Sequence, residues 1–297
     1  MSRFKKGFTL IEVALFLAIT GALFAAITVG VQHSISQQRF NDAVQNFTEF
    51  LRNVYAETMN VQNLKGGRSG KAIYGRLISF GETKDTMGNS INTNDTRNTI
   101  YVYDIVGDID EDGLSGNVLE SLDKLNADVV MVEGKDLKPV GIVENYVPKW
   151  SSQIEPACIG NTCSYDPFVG AVLIVRHPGS GTVYTYVYEG ESLDVNGEIA
   201  LLKGDYSIAE AQLLSDDEAE RQSAQAIIDD IVNGLKNKNI LRKYLSKFSM
   251  KHLDFCVNPE GDAEYSSRRN VRIVKGARNA SGVEILTDEQ NNCIDKE

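Results

Sequence analysis

Residues 8–31 read FTLIEVALFLAITGALFAAITVGV, with Glu12 as the single charge in the run. As an α-helix this stretch would be about 36 Å long, enough for the roughly 30 Å hydrocarbon core of a bilayer. Arg3, Lys5 and Lys6 stand before it in a short stub. Cations beside a span stay in the cytoplasm, so the larger C-terminal part is expected outside. An ordinary secretory signal has its small-residue cleavage site after the apolar run, and none is visible here. The helical pattern continues instead, with Phe40, Val44, Phe47, Leu51 and Val54 at steps of three and four, a stripe suited to packing on a core. No proline occurs before Pro139, and Gly66-Gly67 supplies a stop. One helix of roughly 80 Å, from about Phe8 to Gln62, is therefore expected. Residues 8–31 would lie in the membrane, and residues 32–64 would form an amphipathic half beneath a globular domain.

The octet Lys5-Lys6-Gly7-Phe8-Thr9-Leu10-Ile11-Glu12 closely resembles the cleavage and methylation motif of type IV prepilins and type II secretion pseudopilins. It combines a basic leader, a glycine, a phenylalanine and a glutamate four residues further on. The resemblance implies that residues 1–7 are a leader, and that prepilin peptidase cuts between Gly7 and Phe8 and methylates the new Phe8 amine. It implies that Glu12 meets the N-terminal amine of a neighbouring subunit, neutralising both charges and setting the axial register of assembly. An ionised carboxylate in hydrocarbon is costly unless paired, which gives that role a physical reason. Gly21 falls where family members often carry a helix-loosening glycine, whereas Val29-Gly30 stands where many carry a proline. By the same resemblance the chain starts as a single-pass inner-membrane protein with a cytoplasmic N-terminus and becomes extracellular in a filament. Its implied partners are prepilin peptidase, other pilin subunits and the assembly platform.

Outward from that helix, 297 residues with 42% hydrophobic content can bury a sizeable core. A formal net charge of −11 argues against a general nucleic-acid coat. Runs of β type are predicted at 72–80, 99–105, 128–132, 140–146, 168–176 and 182–188, then at 270–274 and 283–286. The alternation Thr182-Val183-Tyr184-Thr185-Tyr186-Val187-Tyr188 reads as a half-buried antiparallel strand. Between about 205 and 248 the pattern turns helical, with Ser215-Asp216-Asp217-Glu218 as an opening capping box. The expected fold is α+β and type IV pilin-like: a long N-terminal helix against an antiparallel sheet, with residues 65–297 as the exported domain and a helical insertion before the last strands.

Three constellations could carry chemistry. Asp108, Asp110 and Asp112 alternate before Gly113, as at the opening of a calcium loop, with Glu120 as a closing carboxylate one place later than an EF-hand would have it. Structural Ca²⁺ is the cation this pattern would take, and no other cofactor is called for. Cys158, Cys163, Cys256 and Cys293 lack zinc-site spacing, so in an exported domain two disulfides are expected. The pairing Cys158–Cys163 with Cys256–Cys293 would match the C-terminal disulfides of many pilins, and the two crossed pairings stay open. Arg268, Arg269, Arg272, Lys275 and Arg278 are five cations within eleven positions holding no acid. If Val271 and Ile273 face the core, these cations would line one exposed face and meet phosphates without reading bases.

His33, His177 and His252 have no recognisable active-site context, so an enzyme is not expected. The function expected is that of a structural subunit, a minor pilin or pseudopilin. The alternative is a filament-borne adhesin or DNA-capture module, with DNA or a surface ligand as partner.

Overall fold

The computed structural model describes residues 9–60, 71–80, 99–108, 116–129, 131–133, 138–140, 143–159, 162–163, 171–188, 195–234, 240–259, 268–287 and 293. The first element, α1, runs over Leu10–Met59 as one continuous helix of 50 residues, about 75 Å by its rise per residue. Thr9 caps its start, and Asn60, in an extended conformation, ends it slightly before the expected stop. The predicted stripe is the buried one: Val44, Phe47, Leu51 and Val54 are all in the core, joined by Ala43, Tyr55 and Thr58.

The strand pairs among the described residues are antiparallel. Strands β1 (Lys71–Phe80), β2 (Ile100–Asp108), β5 (Val143–Tyr146), β8 (Ala171–Arg176), β9 (Val183–Tyr188) and β10 (Phe248–Ser249) form a six-stranded sheet in the order β10-β9-β8-β1-β2-β5. Strands β6 (Gln153–Ile159), β7 (Thr162–Cys163), β11 (Leu253–Asn258), β12 (Arg269–Ile273) and β13 (Val283–Ile285) form a second sheet in the order β13-β12-β11-β6-β7. A ribbon of β3 (Met131–Glu133) and β4 (Lys138–Val140) stands apart from both. One expected sheet is thus two, and the strand predicted over 140–146 is divided between β4 and β5.

The α1 stripe meets both sheets in one core. Phe47, Leu51 and Tyr55 pack with Ile78, Val102 and Ile174 from the first sheet and with Phe255, Val271 and Ile273 from the second. The opposite face of the six-stranded sheet is covered too. There Leu77, Tyr103, Leu173 and Tyr188 meet Val118 and Leu122 of α2 (Val118–Lys124) and Ile240 and Leu241 of α5 (Ile240–Tyr244). Covered on both faces, β2 is buried along nearly its whole length, which explains its almost unbroken apolar sequence. The same covering corrects the half-buried reading of β9, where Thr185, Tyr186, Val187 and Tyr188 are all buried. Gly75 sits at a bulge in β1, and a Cβ there would fall 2.2 Å from the Ile174 carbonyl oxygen of β8. Only glycine permits that approach.

The helical insertion begins earlier than predicted. It opens at Val195 with α3 (Val195–Gln212), breaks near Ser215, and resumes as α4 (Glu218–Gly234) before α5. Ser215–Asp217 therefore caps the second helix rather than opening the insertion: Ala219 N donates to Asp217 Oδ1 at 2.8 Å, and Ser215 Oγ donates to Glu220 Oε2 at 2.6 Å.

Candidate functional site

Glu12 stands in the first turn of α1 and closes a capping box with Thr9. Thr9 N and Thr9 Oγ1 donate to Glu12 Oε2 at 2.9 and 2.8 Å, and Glu12 N donates back to Thr9 Oγ1 at 3.3 Å. The carboxylate thereby answers two donors at a helix terminus whose first N–H groups have no partner within the helix. Its negative charge also lies at the positive end of the helix dipole. Gly7 and Phe8 lie outside the described residues.

From Leu10 to Val31 α1 is apolar on every side and stands clear of the other described residues: Leu10 is 89% exposed, and Phe16 and Phe24 are each 67% exposed. Burial begins only at Phe40 and Ala43. The apolar part is long enough to cross a membrane, and none of it is covered by the rest of the described protein. Free energy of about 25 cal/mol per Å² of apolar surface exposed to water makes such a protruding helix costly in solution and stable in lipid.

The basic segment lies on β12 and the turn after it. Val271 and Ile273 are buried, but so is Asn270 on the opposite face, and Arg269, which shares the face of Val271, is partly exposed like Arg272, so the cations do not line a single face of β12. Arg272 is committed to the fold. Its Nε and Nη2 donate to Asp254 Oδ1 and Oδ2 at 2.6 and 2.8 Å, across the β11–β12 register that pairs the two residues. Asp254 is fully buried, so this bidentate pair neutralises a charge that water cannot reach. Hydrogen bonding to Asp254 pushes the Arg272 guanidinium further up. Arg278 places its guanidinium carbon 5.8 Å from the Tyr184 ring centroid, within cation–π range. Arg268 is partly exposed, and Lys275 is exposed beside Gly276.

Of the candidate calcium ligands, Asp110 and Asp112 lie outside the described residues. Asp108 ends β2, where its Oδ2 accepts from Asn126 Nδ2 at 3.1 Å. Glu120 lies in the first turn of α2, with Oε1 3.5 Å from Asn117 Nδ2. Among the described residues no group of three or more potential ligands gathers closely enough to hold a metal ion.

Cys256 and Cys293 form a disulfide with Cα atoms 5.5 Å apart, which excludes both crossed pairings. It ties the tail to β11, at the centre of the second sheet. Cys158 of β6 and Cys163 of β7 are register partners on neighbouring strands.

Two charged centres have no counterpart in the sequence reading. Asp128 is buried, and its carboxylate accepts from Ile240 N at 2.8 Å, Leu241 N at 3.0 Å and Val129 N at 2.7 Å. It caps α5 from a residue 112 positions away and bridges β2 through Val106. Burial pushes its carboxyl up to about 7, against the opposing pull of the three N–H donors and Lys243. Arg76, on β1, reaches Glu57 at the end of α1, Asp104 on β2 and Glu144 on β5, at 3.1, 3.3 and 3.3 Å. Burial holds the Asp104 carboxyl above the usual range; Arg76 opposes this, and Glu144 and Glu57 add to it. A sequence signal did exist for both: a charge at a position where strand alternation or an apolar run predicts core.

Neither a family model, a curated protein nor a solved structure matches this chain.

Proposed function

We propose that this protein is a minor pilin or pseudopilin, a structural subunit that prepilin peptidase trims and that is assembled into a filament through α1. The observation that carries the reading is one helix with two surfaces. It has a capped, uncovered apolar half that begins at the processing octet, and an amphipathic half fixed in a two-sheet body. Such a helix has a lipid phase before assembly and a packed core of neighbouring helices after it, since both cover apolar surface all round. Arg3, Lys5 and Lys6 hold the N-terminus in the cytoplasm and send the body outside. Glu12 then supplies the single charge that a neighbour's Phe8 amine can meet within the span.

Processing tests this directly. Mass spectrometry of the mature protein is expected to find Phe8 first and one added methyl group. The formal charge becomes −14 once the three leader cations leave the −11 of the full chain. A mature N-terminus beyond Val31 would falsify the subunit reading.

A further inference from the structure

Where α1 leaves its apolar run, the body turns one loop toward it. A groove of about 340 Å³ opens there, lined by Gln32, Ile35, Arg39 and Phe40 of the helix and by Trp150 and Pro259 of the body. Trp150 is the only tryptophan of the chain, and it is about half exposed. Its backbone is left-handed, φ 59°, and that of Ser151 follows at φ 53°, in a turn closed by Ser152 N donating to the Lys149 carbonyl at 3.2 Å. Two successive positive φ values normally call for Gly or Asn. A bulky aromatic held there is strained, and such strain persists where a position serves something other than the fold. The indole does not enter the core. It faces the Arg39 guanidinium, 5.1 Å from the ring centroid, beside exposed Val147 and exposed Lys149.

We propose that this turn is a second membrane contact, with Trp150 seated in the headgroup zone of the outer leaflet and Arg39 and Lys149 meeting lipid phosphates. Height decides it. Gln32 adjoins Val31, the last residue of the apolar run, and Arg39 lies eight residues on, about 12 Å along the axis. Helical side chains lean toward the N-terminus, so the Arg39 guanidinium reaches back toward the bilayer and carries its stacked indole to that level. Tryptophan prefers that zone, and cations near an anionic surface are drawn to it. A bilayer contact would orient the body on the membrane while α1 is still embedded, and would be given up when the subunit is extracted.

The inference rests on α1 spanning the bilayer, so both are read in one sample. The full chain is reconstituted in phosphatidylcholine vesicles containing a minority of phosphatidylglycerol, and protease protection of α1 reports insertion. Trp150 is its own fluorophore. With α1 inserted, lipids bearing a nitroxide in the headgroup or upper acyl chain should remove roughly half or more of its emission, whereas a label at the chain end should leave it nearly unchanged. Arg39→Gln combined with Lys149→Gln, or high salt, should reduce the quenching on anionic vesicles. Inserted α1 with Trp150 deaf to every lipid label yet open to aqueous acrylamide would overturn the proposal. So would protection of Trp150 that grows with protein density in the membrane, which would give the face to a second copy. Loss of α1 protection itself would instead sink the spanning helix on which the reading of function depends.

Discussion

Asp128 shows how one carboxylate can hold two distant parts of the chain together. Its oxygens accept the first N–H groups of α5 while its backbone pairs with Val106 of β2, so removing it orphans three buried donors. Asp128→Ala should therefore cost several kcal/mol, at about 1–3 kcal/mol for each unsatisfied group. The pH dependence has a definite sign. The folded carboxyl titrates at about 7 against 3.8 as its ordinary value, so between those limits the folded state keeps a proton that the unfolded chain has given up. The contribution of this group is full below about pH 4 and is lost as pH rises through 7, by roughly 4 kcal/mol at 1.4 kcal/mol per unit. Denaturant midpoints measured from pH 5 to 8 should fall in the wild type, and Asp128→Asn should flatten that slope. Glu12 allows a sharper separation of roles. Glu12→Gln keeps an acceptor for Thr9 but removes the charge, whereas Glu12→Val removes both cap and charge. Both variants should insert and be cleaved, and if the ion pair matters, both should be absent from filaments. Incorporation of the Glu12→Gln variant at wild-type level would reduce this carboxylate to a helix cap.

The lower half of α1 is the element on which the body is built. Phe47 touches Phe255 edge-on at 5.2 Å, Tyr146 at 6.0 Å and Phe50 at 6.3 Å, so one ring joins the helix, the second sheet and the edge strand of the first. Phe47→Ala should cost about 3–5 kcal/mol as a buried aromatic truncation. Replacing Phe16, which is largely exposed on the same helix, by Ala should leave the stability of the body unchanged within about 0.5 kcal/mol; thermal melts of the two variants in one detergent check both numbers. A buried hydroxyl relay fixes the helix from the other side: Tyr55 OH donates to Thr185 Oγ1 at 2.8 Å, and Thr185 Oγ1 donates to the Ala277 carbonyl at 2.6 Å. This helix was legible because its apolar stripe keeps one period over four turns and no proline interrupts it. The strands β6 and β11 were not. Pro156 and Glu155 break the β pattern over β6, and Asp254, second in β11, is acceptable in a core only because Arg272 lies opposite it in β12. That compensation is tertiary and leaves no local trace. Gly197 and Gly204 similarly obscured the start of α3, where the helix tolerates them.

At the scale of the whole molecule, α1 passes from helix outside the core to helix inside it near Phe40. The apolar run up to Val31 is uncovered, residues from Gln32 to Arg39 meet the described body only at the Trp150 groove, and every core-facing residue of α1 lies at or beyond Phe40. A protein lacking residues 1–38 therefore keeps the whole hydrophobic core and should fold as a soluble body. The apolar span and its carboxylate were readable from composition and spacing alone, but the use made of the basic segment was not, because only the β11–β12 register reveals that Arg272 is already engaged. This separates two properties that the sequence makes look like one. Arg272→Gln in the soluble body should lower stability by about 3–5 kcal/mol, since Asp254 is left charged and buried. Changing Arg268, Arg269, Lys275 and Arg278 together to Gln should cost far less, because exposed or partly exposed cations seldom decide stability. If those four cations form a phosphate-contacting face, the wild-type body should bind duplex DNA weakly, at about micromolar or poorer affinity, with little sequence preference and a steep loss as salt rises. The four-fold variant should then lose binding at an almost unchanged thermal midpoint. Fluorescence anisotropy across a salt series, run beside thermal melts, reads both quantities. No binding by the wild type at low salt, or binding that survives the four-fold change, would remove DNA capture from the functions of this surface and leave β12 as a charged strand whose Arg272 serves the fold.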